Sequence, residues 1–133
     1  MEQVEMDFQP RCDDGTLPLH ADMHNWYRCV DDATWRHDRP LKYNPNTRDA
    51  LQRAGFVNIH EVVIRVPLNT WEKDPHRKHI GRWYSLALTQ ALNGLTLKPL
   101  CLKSNWSPES VATLVNGMKK EIVSKELHVY NEM

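Results

Sequence analysis

Hydrophobic and polar positions along the first part of the chain predict one strand followed by two helices. Residues 4–8 alternate between apolar and acidic side chains, which is typical of a half-buried strand. Pro18 is suited to start a helix, and apolar residues recur at helical spacing up to about Trp35. After a polar loop at residues 36–45, Asn44 can cap a second helix that ends at Gly55. The inner side of that helix is predicted to carry Ala50, Leu51 and Ala54.

The middle of the chain reads as a strand followed by a long helix. Residues 56–66 are apolar at both odd and even positions, which predicts a strand covered on both faces for at least its second half. Asp74 and Pro75 open a helix whose apolar stripe continues to Leu92. Asn93 and Gly94 are predicted to stop it.

The last third predicts two helices and the opening of a strand. Residues 95–102 favour a short helix, and Ser107 followed by Pro108 is a typical helix start. Residues 127–133 resemble the beginning of a strand. With no repeat or linker, the 133 residues are predicted to form one domain of the α/β class, with two to three strands and four or five helices.

Charge and composition narrow the classes of function. Seventeen basic and 17 acidic residues cancel, so no net field favours nucleic acid or an anionic membrane. A local basic patch remains, for which a solvated helix face is the preferred interpretation. Its members are Arg77, Lys78, His79 and Arg82. No run approaches the roughly 18 apolar residues of a membrane helix, and no secretory signal is present, so we expect a cytoplasmic or nuclear protein.

Metal and disulfide chemistry find little support in the sequence. The three cysteines are scattered and odd in number, and they lack zinc-type spacing. His20 and His24 have the spacing of metal ligands on one helix face, but no third ligand is recognisable. We therefore predict no metal site.

Six aromatic side chains on the predicted helices or near them are candidates for a substrate pocket, although helical spacing usually indicates core packing and only about two of the six are expected to line a pocket. They are Trp26, Tyr27, Trp35, Trp71, Trp83 and Tyr84. Trp26 and Trp83 are the preferred substrate contacts because polar neighbours flank them. His79 is a candidate general base, and Arg82 can hold a carboxylate or enolate; surface pairing is the alternative for both.

The turn after the first predicted strand is a second candidate region. Cys12, Asp13 and Asp14 lie where α/β sheets place ligand-contacting loops. The two carboxylates can instead cap the turn before Thr16. His128 is a further but weaker candidate near the end of the sequence.

Six short motifs resemble the C-terminal half of the LaeA-like S-adenosylmethionine-dependent methyltransferases of filamentous fungi. They are "MEQVE" with the "CDDGT" turn, "AGFVNI", "VPLNTWEKD", "HIGRW", "WSPESV" and "LHVY", in the family's order. The resemblance implies a partial class I, Rossmann-like methyltransferase fold. "MEQVE" would be its fifth strand, residues 56–66 its sixth, and "LHVY" would lead into its seventh.

The resemblance also implies that the cofactor-binding half of the family fold is absent from these 133 residues. Only five glycines occur, and the two closest, Gly81 and Gly94, are 13 residues apart. No glycine-rich loop of the dinucleotide type can therefore form. The full-length family implies S-adenosylmethionine as cofactor, whereas this chain alone is expected to bind none.

Three functions follow from the resemblance. The chain can belong to a methyltransferase of fungal secondary-metabolite biosynthesis that acts on a small hydrophobic natural product. It can be a cofactor-independent cyclase or pericyclase derived from that fold. It can also be a non-catalytic regulatory subunit that binds a full-length methyltransferase or forms a homodimer, because unpaired strands favour association.

Overall fold

The computed structural model describes residues 2–36, 41–102 and 104–133, which form three strands and four α-helices. The elements follow in the order β1 (Asp7–Arg11), α1 (Asp22–Trp35), α2 (Thr47–Arg53), β2 (Arg65–Pro67), α3 (Pro75–Leu97), a π-helical turn (Lys98–Leu102), α4 (Pro108–Ile122) and β3 (Tyr130–Glu132). The predicted α/β class and the predicted numbers of strands and helices are confirmed for this part of the chain. Residues 37–40 of the predicted polar loop lie outside the described residues.

The sheet has the order β1-β3-β2, and β3 runs antiparallel to both neighbours. β1 and β2 are therefore parallel to each other although they are far apart in sequence. Tyr130 pairs with Arg11 on one side and with Pro67 on the other, so the start of β3 lies between the carboxyl ends of β1 and β2. This edge of the sheet collects polar side chains from all three strands.

The core lies where α4 packs against both α1 and α3. Trp26 of α1 is 1% exposed, and its Nε1–H donates a 2.8 Å hydrogen bond to the hydroxyl of Thr96, itself fully buried in α3. The carboxylate of Glu121 in α4 accepts hydrogen bonds of 2.9 and 2.7 Å from the backbone N–H groups of Asp22 and Met23. One side chain of α4 thus caps the first turn of α1, which has no side-chain cap of its own.

That contact explains why the predicted start of α1 is wrong. Pro18 lies in a turn in which its carbonyl accepts a 3.0 Å hydrogen bond from Ala21, and α1 begins only at Asp22, where Glu121 supplies the cap. The predicted strand at residues 4–8 is also displaced, because pairing with β3 begins at Asp7 and continues to Arg11.

The prediction for α2 is partly wrong. Asn44 uses its oxygens in a turn, accepting hydrogen bonds of 3.0 Å each from the N–H groups of Asn46 and Thr47, so the helix begins at Thr47. No residue of α2 is buried, which contradicts an inner side at Ala50, Leu51 and Ala54.

The predicted long strand at residues 56–66 is the largest error. Only Arg65–Pro67 forms β2, and Val62 and Val63 are 74% and 61% exposed. Ile64 exchanges backbone hydrogen bonds of 2.7 and 2.9 Å with Met133, but residues 57–63 have no backbone partner among the described residues. Residues 56–64 therefore have the apolar pattern of a strand covered on both faces, but most of their side chains are exposed.

The second half is predicted more accurately, with one exception. Asp74 accepts a hydrogen bond from the N–H of Arg77 at the start of α3, and Ser107 accepts one from Ser110 at the start of α4. α3 does not stop at Asn93 and Gly94 but continues to Leu97. Its extension is held by the buried Thr96 hydroxyl, and tertiary packing here overrides local propensity.

Candidate functional site

A tight turn directly after β1 is built around one carboxylate oxygen. Oδ1 of Asp14 accepts hydrogen bonds from the N–H and hydroxyl of Thr16 at 3.1 and 2.8 Å, and from the Cys12 thiol at 3.2 Å. Gly15 has φ +75°, a left-handed conformation that favours glycine. The prediction that an acidic residue caps this turn is confirmed.

The other oxygen of Asp14 reaches a histidine 114 positions away in sequence. Oδ2 of Asp14 forms an ion-pair contact with Nδ1 of His128, which lies just before β3. The backbone N–H of His128 donates a 2.9 Å hydrogen bond to the Thr16 hydroxyl. The pairing of β1 with β3 therefore brings the "CDDGT" turn and "LHVY" together at the carboxyl edge of β1.

The imidazole of His128 is also held from one face. Its ring stacks on the indole of Trp71 with a centroid separation of 4.9 Å and an interplanar angle of 25°. The indole is itself fixed, because its Nε1–H donates a 3.0 Å hydrogen bond to the carbonyl of Val129. Trp71 is thus next to the polar cluster and not on the α3 face.

A second carboxylate of the turn makes a separate set of contacts. Asp13 accepts hydrogen bonds of 2.7 Å from the Arg65 guanidinium and 2.8 Å from the Tyr130 hydroxyl. The guanidinium also lies over the Tyr130 ring, 4.7 Å from its centroid. The two neighbouring carboxylates are therefore directed to different partners.

These contacts perturb the protonation of the cluster. The hydrogen bond from His128, with further ones from Cys12 and Thr16, holds the pKa of the Asp14 carboxyl well below its usual value of 3.8. Burial, followed by the hydrogen bond to Asp13, raises the pKa of Tyr130. At neutral pH the cluster presents an ionised Asp14 next to an imidazole.

The predicted residues of α3 share one exposed face. The indole N–H of Trp83 donates a 3.0 Å hydrogen bond to Nε2 of His79, which occupies the nitrogen that a general base would use. With Leu86 and Val123 these residues line a shallow cleft of about 570 Å³, which Arg82 also borders. The structure brings His79, Arg82 and Trp83 together, and their substrate role stays a prediction.

Trp26 is not part of that face. It packs in the core between α1 and α3, and its only polar atom is used by Thr96. The remaining predicted aromatics are also dispersed: Trp35 is 60% exposed on α1, and Tyr84 donates a 2.9 Å hydrogen bond to the buried side chain of Asn131. The structure therefore does not bring the preferred pair, Trp26 and Trp83, into one pocket.

The start of α1 at Asp22 separates His20 from His24. His20 lies before the helix and His24 lies within it, so they do not share a helix face. Within residues 2–36, 41–102 and 104–133 no group of three or more His, Cys, Asp or Glu side chains is arranged to hold a metal ion. In the same part of the chain, no helix is both long and apolar enough to cross a membrane.

Comparison with known proteins gives close relatives over the full length of the chain. It is 46% identical over 134 residues to the secondary metabolism regulator LAE1 of Cochliobolus heterostrophus, a match that covers 100% of this chain and 44% of the relative. It is 40% identical over 131 residues to the regulator laeA of Monascus pilosus, covering 98% of this chain and 35% of the relative. Over its whole length the chain is homologous to part of the LaeA-like secondary metabolism regulators.

A further LaeA-like relative connects the family with methyl transfer. The protein-methionine methyltransferase laeA of Emericella nidulans is 40% identical over 131 residues, covering 98% of this chain and 35% of that protein. The chain therefore spans less than half the length of these curated relatives. No family model matches it, and no solved structure does. The resemblance to LaeA-like proteins noted in the sequence is confirmed.

From the sequence alone, His128 ranks below the residues of α3, and Trp71 is not placed beside it. Each is a single polar or aromatic residue near a strand end, and nothing in the local pattern shows that they meet. What could have indicated the cluster is the sheet topology, which places two strand ends at one edge of the sheet, each next to an acidic or basic residue. Without the strand order that signal could not be used.

Proposed function

We propose that this chain acts in the control of fungal secondary metabolism as the C-terminal part of a methyltransferase-type fold. The observation that carries the proposal is the 46% identity over the whole chain to a protein named a secondary metabolism regulator. The methyltransferase name of the Emericella nidulans relative supports the link to methyl transfer. A regulatory role is favoured over a cyclase because the relatives named above are regulators or a methyltransferase.

The strand order supports the methyltransferase-type fold. The class I fold places its reversed seventh strand between the fifth and the sixth. β1, β3 and β2 have that order, and β3 is the antiparallel strand. The resemblance places the fifth strand at residues 1–5, the sixth at residues 56–66 and the start of the seventh after residues 127–130; β1, β2 and β3 overlap or directly follow these segments, which supports the proposal.

We propose that these 133 residues do not hold S-adenosylmethionine by themselves. A cradle for the donor needs backbone that approaches the ligand closely, and the five glycines are too far apart to form one loop. Gly15 and Gly55 have positive φ, but each lies in an isolated turn. Isothermal titration of the purified chain with S-adenosylmethionine should give no binding heat, and saturable binding would contradict the proposal.

A groove beside β3 supports a partner for this chain. Its lining includes residues 2–5 and 56–64, together with Glu132 and Met133. The groove has a volume of about 670 Å³ and lies in line with β3. We propose that an extended segment supplied by a LaeA-like chain fills it as a continuation of β3.

Exposed valines give a test of that partner. Val62→Glu places a charge in the groove and should weaken co-purification with a full-length LaeA-like protein. Leu19→Glu is the matched control, because Leu19 is 94% exposed and lies outside the groove. Equal loss in both variants, or no loss in either, would count against the groove as the contact.

The regulatory role is tested by disrupting the gene in its fungal host and comparing secondary metabolites by mass spectrometry. Loss of the gene should change several metabolites together, and reintroduction of the wild-type gene should restore them. An unchanged metabolite profile after disruption would refute the proposed function.

A further inference from the structure

The two carboxylate oxygens of Asp14 have different partners. Oδ1 of Asp14 is used by Thr16 and Cys12, so Oδ2 is the oxygen directed at Nδ1 of His128. The side chains are 47% and 37% exposed respectively. The pair is therefore ordered by the turn and still open to a ligand.

Two contacts hold the imidazole of His128, and a third holds its main chain. Its main-chain N–H is bound to Thr16, Nδ1 to Asp14, and one ring face to Trp71. Its Nε2 atom makes no hydrogen bond with the described residues. The side chain is thus held in one orientation while one ring nitrogen remains available.

A carboxylate next to Nδ1 has a definite chemical consequence. It favours the tautomer with a proton on Nδ1, which leaves the lone pair on Nε2. It also stabilises the imidazolium that forms when Nε2 accepts a proton, the role that an orienting carboxylate has beside a general base. By contrast, Nε2 of His79 already accepts the Trp83 N–H.

We propose that Nε2 of His128 is a general base that accepts the proton of a hydroxyl or amine group on a bound substrate. The O–H or N–H bond of the substrate breaks, its electron pair stays on oxygen or nitrogen, and a new N–H bond forms on His128. The carboxylate of Asp14 balances the imidazolium charge. The acceptor atom is thus an oxygen or a nitrogen, and its role as the nucleophile in methyl transfer rests on the proposed function.

The expected class of acceptor depends on whether the acceptor atom carries a proton that a base can remove. A hydroxyl or amine becomes a stronger nucleophile when it loses a proton. A positioned base typically accelerates such a step by about 10²–10⁴-fold. A thioether sulfur has no proton to lose and gains nothing from a base. A functional Asp14–His128 pair therefore favours oxygen or nitrogen acceptors.

Two substitutions separate this role from a purely structural one. In His128→Asn the side-chain amide can still donate to Asp14 from a position near the former Nδ1, but Nε2 is gone. In His128→Gln the amide nitrogen reaches towards the former Nε2 position, and the contact with Asp14 is lost. A structural pair should tolerate Asn and be destabilised by Gln, whereas a catalytic pair should lose activity in both.

The tautomer gives a readout that does not depend on activity. Long-range proton–nitrogen spectra of the labelled wild-type chain at pH 8 should show His128 protonated at Nδ1 and free at Nε2. In Asp14→Asn, the signal should shift towards the tautomer protonated at Nε2. An Nε2-protonated His128 in the wild type would overturn the proposal, even if a variant failed to fold.

The activity arm uses allele replacement in the fungal host. His128→Asn should fold like the wild type and yet fail to restore the metabolite profile, whereas His76→Asn, an exposed position in the first turn of α3, should restore it. Full restoration by His128→Asn would refute the base. Failure of the wild-type allele to restore the profile would instead refute the proposed function.

Discussion

α3 packs closely against the backbone of Asn69 at Gly81, and adding one methyl group there should be costly. A Cβ at this position would clash with the carbonyl oxygen of Asn69, and it would lie 2.7 Å from the carbonyl carbon. Asn69 cannot move away easily, because its buried side-chain amide donates to the carbonyls of Ser124 at 2.9 Å and Leu127 at 3.3 Å. The helix itself would have to move away from β2.

The magnitude of the Gly81→Ala effect follows from two opposing terms. Forcing an extra methyl group into a packed contact costs about 1–3 kcal/mol, and a clash with fixed backbone is at the upper end. Alanine gains roughly 1 kcal/mol over glycine in a helix interior. We expect the free energy of unfolding to fall by about 2 kcal/mol, with a melting temperature lower by roughly 5–10 °C.

Gly94→Ala is the matched control, because it lies in the same helix and a Cβ there would have no atom within 4 Å. It should raise the free energy of unfolding by roughly 0.5–1 kcal/mol through helix propensity alone. Urea unfolding followed by circular dichroism gives both values. If Gly81→Ala is as stable as Gly94→Ala, the close approach of α3 to Asn69 is not present in solution.

Three further changes test separate contacts. Glu121→Ala removes the cap of α1 and should lower the free energy of unfolding by about 1–2 kcal/mol in urea titration, whereas no change would show that water replaces the cap. Trp26→Phe removes the indole N–H that donates to the buried Thr96 hydroxyl and creates a small cavity, so about 2–3 kcal/mol should be lost. A loss below about 0.5 kcal/mol would contradict the core position of Trp26. Because folding lowers the pKa of Asp14, its carboxylate stabilises the folded state above the usual pKa of 3.8, and this contribution is lost as the pH falls below that value. The difference in free energy of unfolding between the wild type and Asp14→Asn should therefore shrink below pH 3.8, and a constant difference would refute the ion pair.

The sequence predicted elements well where local signals and packing agree. α4 has a Ser107 cap, a proline in its first turn and a continuous apolar side, and all three are used in the structure. α3 shows the opposite case at its end. Asn93 and Gly94 favour a stop, but burial of Thr96 against Trp26 extends the helix, and that contact joins residues 70 positions apart.

The candidate site was beyond local prediction for the same reason. Asp14 and His128 are separated by 114 positions, and only the placement of β3 next to β1 brings them together. The residues preferred from sequence lie elsewhere, three on the outer face of α3 and Trp26 in the core. A pattern read along one helix finds side chains on that helix, whereas this cluster is assembled from the ends of separate strands.

The exposed segment at residues 56–64 connects the main error of prediction with the proposed partner. Its pattern is that of a covered strand, and covering a valine or isoleucine side chain gains about 1.5–3 kcal/mol relative to exposure. Four such side chains, Val57, Val62, Val63 and Ile64, are 47–81% exposed, so covering them would contribute several kcal/mol on that scale. The hydrogen bonds between Ile64 and Met133 show the register in which a strand continuing β3 would pair next. If an extended segment of a LaeA-like chain occupies the groove as we propose, covering these side chains would contribute to binding, and Val62→Glu would remove part of that gain.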